Sequence, residues 1–174
     1  MGWRNVVSTV VGLGIRPVEL GLISPQKNDV GEWQMRSTYR KSGGKNKTQP
    51  RWLFEIPVID ADGNEIRFDI AANWKTWEWP KTRTGERRLI DAHYLESYLK
   101  RVPYWMQLRA EYEPLDLRVR PYSMRNSWNV RAKRLGLPDA VVSRAAGNSE
   151  ATNLRSYRQT TDLNTREAFE RALG

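Results

Sequence analysis

The chain has 174 residues, which is enough for one domain with a single sizeable core and too few for two. Its 29 Lys and Arg against 20 Asp and Glu give a formal net charge of +9 at pH 7. The expected partners are therefore polyanions, and nucleic acid is the first to consider. The alternative is a basic protein with no specific anionic partner. The lack of cysteine excludes disulfides and thiolate metal sites, and a lone histidine, His93, argues against a zinc site.

The first predicted element is an apolar helix that ends at a glycine turn. Its apolar residues follow the helical period, at Val6, Val7, Val10, Val11 and Leu13. Polar residues and glycines break the run, which is too short to span a bilayer, so we expect a buried helix in a cytoplasmic protein without membrane contact. Gly14 marks the turn, Arg16 lies on it, and Pro17 predicts the start of a second, short helix that reaches about Ile23.

Two segments that alternate in the manner of strands follow, Trp33 to Tyr39 and Trp52 to Ile59. The stretch between them, Lys41 to Lys47, is rich in lysine and glycine. We therefore predict an antiparallel hairpin with a basic tip. Asp60 to Asn64 carries residues that favour a tight turn, and it joins the second strand to a third, Glu65 to Ala71.

The region from Asn73 to Arg88 interleaves aromatic and basic side chains, with Trp74, Trp77 and Trp79 among lysines and arginines. Such a pattern can stack on nucleic acid and neutralise it. We favour the other interpretation, in which the tryptophans close the open edge of the core and the charges are solvated.

The rest of the chain is predicted to be helical. An amphipathic helix is expected over Leu89 to Val102, with His93 as a partly exposed residue on it. Further helices are predicted over Ser123 to Leu135, Pro138 to Ala146, Ser149 to Tyr157 and Asn164 to Leu173. The predicted fold class is α+β, mainly helical, with a small antiparallel three-stranded sheet near the N-terminus.

Four short motifs stand out in this framework. They are Gly14-Ile15-Arg16-Pro17-Val18-Glu19-Leu20, Tyr122-Ser123-Met124-Arg125, Gly147-Asn148-Ser149 and Leu154-Arg155-Ser156-Tyr157. Two guanidiniums can hold the non-bridging oxygens of a phosphodiester while remaining charged, and a tyrosine hydroxyl can attack the phosphorus. The set therefore indicates phosphate chemistry with a tyrosine nucleophile.

With these motifs the chain resembles the catalytic domain of the tyrosine recombinases, the phage integrase family. Family members carry an arginine in a Gly-x-Arg-x-x-Glu-Leu turn, a lysine on a β-hairpin, a His-x-x-Arg motif, a Gly-His-Ser-like motif and a tyrosine. The matching positions here are Arg16, Lys41, Tyr122 with Arg125, Asn148 and Tyr157. The spacings agree with the family pattern: 25 residues from Arg16 to Lys41, 23 from Arg125 to Asn148 and 9 from Asn148 to Tyr157. The resemblance covers nearly the whole chain.

The resemblance implies a catalytic role for these residues. Arg16 and Arg125 would hold the phosphate, and Tyr157 would form a phosphotyrosyl bond that conserves bond energy for rejoining. Lys41 would protonate the departing sugar oxygen, with Lys45 and Lys47 as alternatives to it.

Several of these residues also have an ordinary structural interpretation. Arg16 could be a surface cation, although the start of a helix is the unfavourable end for a positive charge. Arg125 could pair with a carboxylate such as Glu19. Tyr157 could be an ordinary core or surface tyrosine.

The chain departs from the family pattern at Tyr122 and Asn148, which stand where the family has a histidine and a histidine or tryptophan. Histidine can accept a proton near neutral pH, whereas tyrosine ordinarily stays protonated there. Tyr122 can still donate a hydrogen bond to the phosphate, and Asn148 keeps a donor but loses the packing of a ring. We expect reduced or specialised activity.

The resemblance implies site-specific DNA recombination, integration or excision, through a phosphotyrosine intermediate and without a metal or nucleotide cofactor. Double-stranded DNA is the expected partner, bound at paired sites by a homo-multimer, a tetramer. A degenerate domain that binds DNA without turnover is the main alternative, and the related type IB topoisomerase reaction is a weaker one. We expect residues 1–174 to form a single catalytic domain without the family's N-terminal DNA-clamping domain, so that DNA binding is weak and dependent on salt.

Overall fold

The computed structural model describes residues 2–40, 48–151 and 170. Its helices are α1 (Gly2–Leu13), α2 (Ile70–Asn73), α3 (Ala92–Leu99), α4 (Pro103–Tyr112), α5 (Pro121–Arg134) and α6 (Asp139–Ala146), and its short 3-10 helices are Pro17–Gly21 and Glu113–Leu115. Its strands are β1 (Ile23–Lys27), β2 (Trp33–Ser37), β3 (Arg51–Trp52), β4 (Val58–Ile59) and β5 (Glu65–Ile66). The predicted α+β class, mainly helical with a small three-stranded antiparallel sheet near the N-terminus, is confirmed. None of the described helices is long and apolar enough to cross a membrane.

Helix α1 ends at a turn that requires glycine. Val6 and Val10 are fully buried on α1, and the N–H of Gly14 donates to the carbonyl oxygen of Val10 at 3.0 Å. Gly14 has a φ of +60°, which residues with a Cβ rarely adopt. A Cβ at this position would lie 2.4 Å from ring atoms of Trp128 on α5. The turn therefore needs glycine both for its conformation and for the close packing of α1 on α5.

The second predicted helix is shorter than expected. Pro17 begins it, as predicted, but the segment is a 3-10 helix that ends at Gly21, and Ile23 begins strand β1. Pro25 lies within β1, where its missing N–H is tolerated because β1 is an edge strand. The extension of the helix to Ile23 was therefore wrong: Pro25 disfavours helical backbone at the residue before it, and pairing with β2 makes the segment a strand.

Strand β2 is the centre of the three-stranded sheet. Ser37 at its end lies opposite Ile23 of β1 and opposite Arg51 of β3, both in antiparallel register. The predicted hairpin between β2 and the strand after it is thus confirmed. Its basic tip, residues 41–47, which includes the predicted proton donor, lies outside the described residues.

The third strand of this sheet is not the predicted one. Glu65 to Ala71 was expected to join it, but β5 pairs instead with β4 in a separate two-stranded ladder. The sheet takes β1 as its third strand. The segment predicted as one strand, Trp52 to Ile59, is interrupted because Pro57 cannot donate a ladder hydrogen bond.

The residues after β5 form helix α2, because a carboxylate caps the start of that helix. Glu55 accepts hydrogen bonds from the backbone N–H groups of Phe68, Asp69 and Ile70. Asp69 has a φ of +49°, which reverses the chain direction just before α2 begins. This bonding satisfies donors that a helix start leaves free, and it ends the extended segment.

The tight turn predicted at Asp60 to Asn64 is confirmed. A carboxylate oxygen of Asp60 accepts the backbone N–H groups of Asp62 at 2.9 Å and Asn64 at 2.8 Å. Gly63 has a φ of +85°, as the turn requires.

The helical part of the chain follows the predictions in part. The helix expected over Leu89 to Val102 is shorter, because the Asp91 side chain accepts the N–H of Tyr94 and sets the start of α3. Helix α4 was not predicted, while α5 and α6 lie where two helices were expected. The predicted helices 149–157 and 164–173 lie for the most part outside the described residues.

The tryptophan-rich region closes the edge of the core, as the favoured interpretation held. Trp74 is buried, and Trp77 and Trp79 are partly buried against the main core cluster. The charges are less freely solvated than expected, because the Arg87 guanidinium lies 3.8 Å from the ring centre of Trp79 and 4.8 Å from that of Trp74.

Candidate active site

Arg16 is held in place by contacts from both ends of the chain. One terminal nitrogen of its guanidinium, Nη1, donates to Glu19 at 2.9 Å. The other, Nη2, donates to the carbonyl oxygen of Gly147 at 3.0 Å and to the side-chain oxygen of Asn148 at 2.8 Å. The side chain is 16% exposed, so it is not fully enclosed by its partners. Arg16 is therefore a positioned cation and not a free surface residue.

Arg125 is fully buried on α5, and backbone carbonyls hold it. Its Nη1 donates to the carbonyl oxygen of Gly14 at 2.7 Å, and its Nη2 donates to that of Ala146 at the end of α6. The ion pair with Glu19 that the sequence suggested is wrong, because the described salt bridges of Glu19 go to Arg16 and to an arginine of β3.

Asn148 brings the two predicted phosphate-binding arginines together. Its Oδ1 accepts a hydrogen bond from Nη2 of Arg16 at 2.8 Å and another from Nη2 of Arg125 at 3.1 Å. The two guanidiniums, 109 positions apart in the sequence, therefore share one oxygen atom. An oxygen placed between two guanidinium groups has the surroundings that a phosphate oxygen prefers.

A buried ion pair that the sequence did not reveal supports this arrangement. The carboxylate of Glu19 is fully buried, and its Oε2 lies 2.8 Å from Nη2 of Arg51 and 2.8 Å from the hydroxyl of Ser37, which donates to it. The predicted strand began at Trp52 and left Arg51 in the preceding loop. Its burial depends on the pairing of β3 with β2, which no local sequence signal gives.

The charges around Glu19 lower the pKa of its carboxyl group. Burial by itself raises that pKa, but the attraction of Arg51, the hydrogen bond from Ser37 and the charges of Arg16 and Arg125 outweigh it. The carboxylate therefore stays ionised among the arginines. Burial lowers the pKa of Arg125 and of Arg51, in the latter case against the attraction of Glu19.

Replacing Glu19 with glutamine should remove a pH-dependent part of the stability. Because its pKa is lowered on folding, the stabilisation is complete above the unfolded-state value of 4.5 and is lost as pH falls through the folded-state value. At pH 7 we expect Glu19→Gln to lower the free energy of unfolding by about 3 kcal/mol, since buried guanidiniums lose their partner. Urea unfolding at several pH values should show this difference shrinking below pH 4.5.

The matched control for that measurement is Glu65→Gln. Glu65 pairs with Arg67 at 3.6 Å on the surface, where both side chains are more than half exposed. Its substitution should change the unfolding free energy little at any pH. A constant difference between wild type and Glu19→Gln from pH 7 down to pH 3 would contradict the role assigned to the carboxylate.

Tyr122 lies beside the arginines on α5, and 42% of it is exposed. The centre of its ring is 5.8 Å from the guanidinium carbon of Arg125. Its role as a hydrogen-bond donor to a phosphate remains a prediction. His93, predicted to be partly exposed on its helix, is exposed on α3, and its ring lies edge-on to that of Tyr94.

The remaining predicted site residues, Lys41 and Tyr157, lie outside the described residues, and so do Lys45 and Lys47. Their roles stay predictions. Within the described part of the chain, no three His, Asp or Glu side chains gather in a way that could hold a metal ion.

Comparison with known proteins adds one sequence relative. No protein-family model matches the chain. Excisase A from Nostoc sp. (strain PCC 7120 / SAG 25.82 / UTEX 2576) is 24% identical over 152 residues, an alignment that covers 72% of this chain and 31% of Excisase A. The chain thus spans about a third of the length of this relative.

A solved structure shows the same fold. The structure of the Tn1549 transposon integrase, in complex with a circular intermediate DNA, matches 97% of this chain and 58% of the integrase chain, with a TM-score of 0.50 and 13% sequence identity. The order of the motifs, the convergence of Arg16 and Arg125, the relative and the shared fold agree. The resemblance to the tyrosine recombinase, or integrase, family found in the sequence is thus confirmed, and the chain shares the fold of the Tn1549 transposon integrase.

Proposed function

We propose that this chain acts in site-specific DNA recombination, integration or excision, by cleaving and rejoining strands through a phosphotyrosine intermediate at Tyr157. The observation that carries the proposal is the convergence of Arg16 and Arg125 on the single oxygen of Asn148. Two guanidiniums in that arrangement suit a phosphodiester whose non-bridging oxygens gain negative charge during attack. The names of an excisase and a transposon integrase among the similar proteins support the same reaction.

In the proposed cleavage step, the hydroxyl oxygen of Tyr157 attacks the scissile phosphorus, and its proton passes to solvent water. The bond from phosphorus to the departing sugar oxygen breaks, and that oxygen takes a proton from Lys41. The number of phosphate ester bonds is unchanged, so the free sugar hydroxyl of another strand can reverse the step and join to a new partner. Arg16 and Arg125 hold the charge of the phosphate throughout.

Tyr122 and Asn148 occupy the positions where the family carries its proton-transferring rings. The Tyr122 side chain is exposed next to Arg125, from where its hydroxyl would donate a hydrogen bond to the phosphate. Asn148 contacts the two arginines through its oxygen, so its amide NH2 is the group that would donate a hydrogen bond to DNA. Neither residue replaces histidine as a base near neutral pH.

Double-stranded DNA is the proposed partner, and paired recombination sites call for a homo-multimer, a tetramer. The net charge of +9 favours association with a polyanion. The solved integrase that shares the fold is itself in complex with DNA.

A covalent adduct on a nicked DNA substrate tests the proposal. A nick next to the scissile phosphate lets the short strand dissociate after cleavage, so the phosphotyrosyl adduct accumulates. We expect wild-type protein to give an adduct on members of a randomised library of nicked sites, seen as a band that resists denaturation. Tyr157→Phe should reduce it by at least 1,000-fold because the nucleophilic oxygen is removed.

The control variant is Tyr94→Phe, which removes the hydroxyl of an exposed tyrosine on α3. It should form the adduct at the wild-type rate. An adduct that survives in Tyr157→Phe, or mass spectrometry that places the DNA on another residue, would contradict the assigned nucleophile. Failure of the wild-type chain to form an adduct on any member of the library would sink the proposed function.

A further inference from the structure

We infer that Arg51 is a positioning residue of the cleavage reaction, which holds the Arg16 guanidinium in place through the carboxylate of Glu19. The inference rests on the proposed function. Arg51 lies in neither of the arginine motifs and was not among the predicted site residues.

The first support is that the carboxylate of Glu19 joins Arg51 to Arg16. Oε1 accepts from Nη1 of Arg16 at 2.9 Å and from Nη2 of Arg51 at 3.1 Å, whereas Oε2 is 2.8 Å from the same Nη2 and accepts the hydroxyl of Ser37 at 2.8 Å. The carboxylate is thereby fixed from one side by β2 and β3 and contacts Arg16 on the other. A shift of the carboxylate would move the edge of the Arg16 guanidinium with it.

The second support is the contact of Arg51 with the end of α6. Its Nε donates to the carbonyl oxygen of Ala145 at 2.8 Å. The next carbonyl oxygens along the chain accept from Arg125, at Ala146, and from Arg16, at Gly147. Arg51 therefore connects the sheet to the same short backbone segment that positions both predicted phosphate-binding arginines.

The third support is electrostatic. Without Arg51, the only described salt bridge left to Glu19 would be that with Arg16, whose charge it would then neutralise. With Arg51 present, the carboxylate lies between the guanidiniums of Arg16 and Arg51, and Arg125 meets Arg16 at Asn148, so that three arginines face one carboxylate charge and leave an excess of positive charge. That excess is what a phosphodiester requires at this place.

A role in stability alone explains these contacts less well. A buried ion pair contributes little net stability compared with apolar residues of similar volume, because both charges lose their water. Moreover, Nη1 of Arg51 is buried and has no hydrogen-bond partner among the described residues, which adds to the cost of burying the charge. The charge and geometry of Arg51 are the properties that serve the neighbouring arginine.

The test compares a normal scissile phosphate with a methylphosphonate in the full chain. The methyl group replaces one non-bridging oxygen and removes its charge, so cleavage depends less on the Arg16 clamp. For Arg51→Gln we expect the rate of adduct formation to fall about 100-fold on the phosphate and less than fivefold on the methylphosphonate. Arg16→Gln should show the same change in the ratio of the two rates, and Arg51→Lys should restore the phosphate rate to within tenfold of wild type.

Arg36→Gln is the matched control, because Arg36 is a half-buried arginine of β2 that lies over the ring of Trp52, away from Glu19. It should leave both rates within twofold of wild type. If Arg51→Gln lowers the cleavage rate equally on the two substrates, the variant has a folding defect and the inference is overturned. An unchanged cleavage rate on the phosphate in Arg51→Gln would also overturn it. If Arg51→Gln does not fold, Arg51→Lys still provides the test. A lysine variant in which the rates on the phosphate and on the methylphosphonate fall by the same factor overturns the inference.

The outcomes separate this inference from the proposed function. A wild-type chain that forms no adduct on either substrate overturns the proposed function and the inference with it. Wild-type cleavage with an unaltered rate ratio in Arg51→Gln overturns the inference alone. The side-chain Nε–Hε signal of Arg16 in 15N-labelled protein gives a readout without activity: it should broaden or shift in Arg51→Gln and stay unchanged in Arg36→Gln.

Discussion

Replacing Gly14 with alanine is expected to lower the free energy of unfolding by roughly 3–5 kcal/mol, a large part of the stability of a typical domain. Gly14 has a φ of +60°, which is costly for a residue with a Cβ, and the added methyl would lie 2.4 Å from ring atoms of Trp128. The indole cannot move aside freely, because Trp128 is 2% exposed and its Nε1 donates to the carbonyl oxygen of Phe54 at 3.0 Å. Urea unfolding followed by circular dichroism measures the loss.

Gly63→Ala is the control that separates conformation from packing. Gly63 has a φ of +85°, but no atom of the described residues lies within 4 Å of a Cβ added there. This variant should cost only about 1 kcal/mol, from backbone strain. If Gly14→Ala is no less stable than Gly63→Ala, the close packing of Trp128 against the turn does not restrict that position.

The Gly14 turn also shapes the site. The carbonyl oxygen of Gly14 accepts from Arg125 at 2.7 Å, and Arg16 follows two residues later. A change at Gly14 that the fold survives should therefore disturb both predicted phosphate-binding arginines.

The sequence predicted those parts of the fold that local signals determine. The start of the Pro17 helix, the turn with Gly63 and the helices α5 and α6 follow from turn chemistry and from apolar periodicity. Strand β1 escaped prediction because its residues, with Pro25 among them, carry no alternating pattern, and its pairing with β2 is what makes it a strand. The third strand was assigned wrongly because the capping of α2 by Glu55 is a contact between distant residues.

In the site too, residues in local motifs could be predicted and residues placed by tertiary contacts could not. The arginines were recognisable because Arg16 and Arg125 lie in motifs with ordered spacing, and the structure brings them together on Asn148. Arg51 was not recognisable from the sequence as an ion-pair partner of Glu19. Arg51 is one of 29 lysines and arginines, and only the tertiary pairing of Ser37 with Arg51 brings its strand alongside the buried carboxylate.

Replacing Asn148 with aspartate should almost abolish cleavage while making the DNA-free protein more stable. A carboxylate in place of the amide would accept charge-assisted hydrogen bonds from Arg16 and Arg125, which are about twice as strong as neutral ones. A DNA phosphate would then compete with a fixed negative charge. We expect adduct formation on nicked DNA to fall on the order of 100-fold, which is about 2.7 kcal/mol, and the free energy of unfolding to rise by about 1 kcal/mol.

Asn148→Ala is the informative comparison, because it removes the shared oxygen without adding charge. It should lower the free energy of unfolding by about 1 kcal/mol, since the Ala146 carbonyl oxygen is then the one acceptor that Nη2 of Arg125 keeps among the described residues. Its cleavage rate should fall less than that of the aspartate variant. Stability and activity therefore move in opposite directions in Asn148→Asp and in the same direction in Asn148→Ala. An aspartate variant that cleaves at the wild-type rate would show that the oxygen of residue 148 does not occupy the place of the phosphate oxygen, and that the two arginines bind DNA in another arrangement.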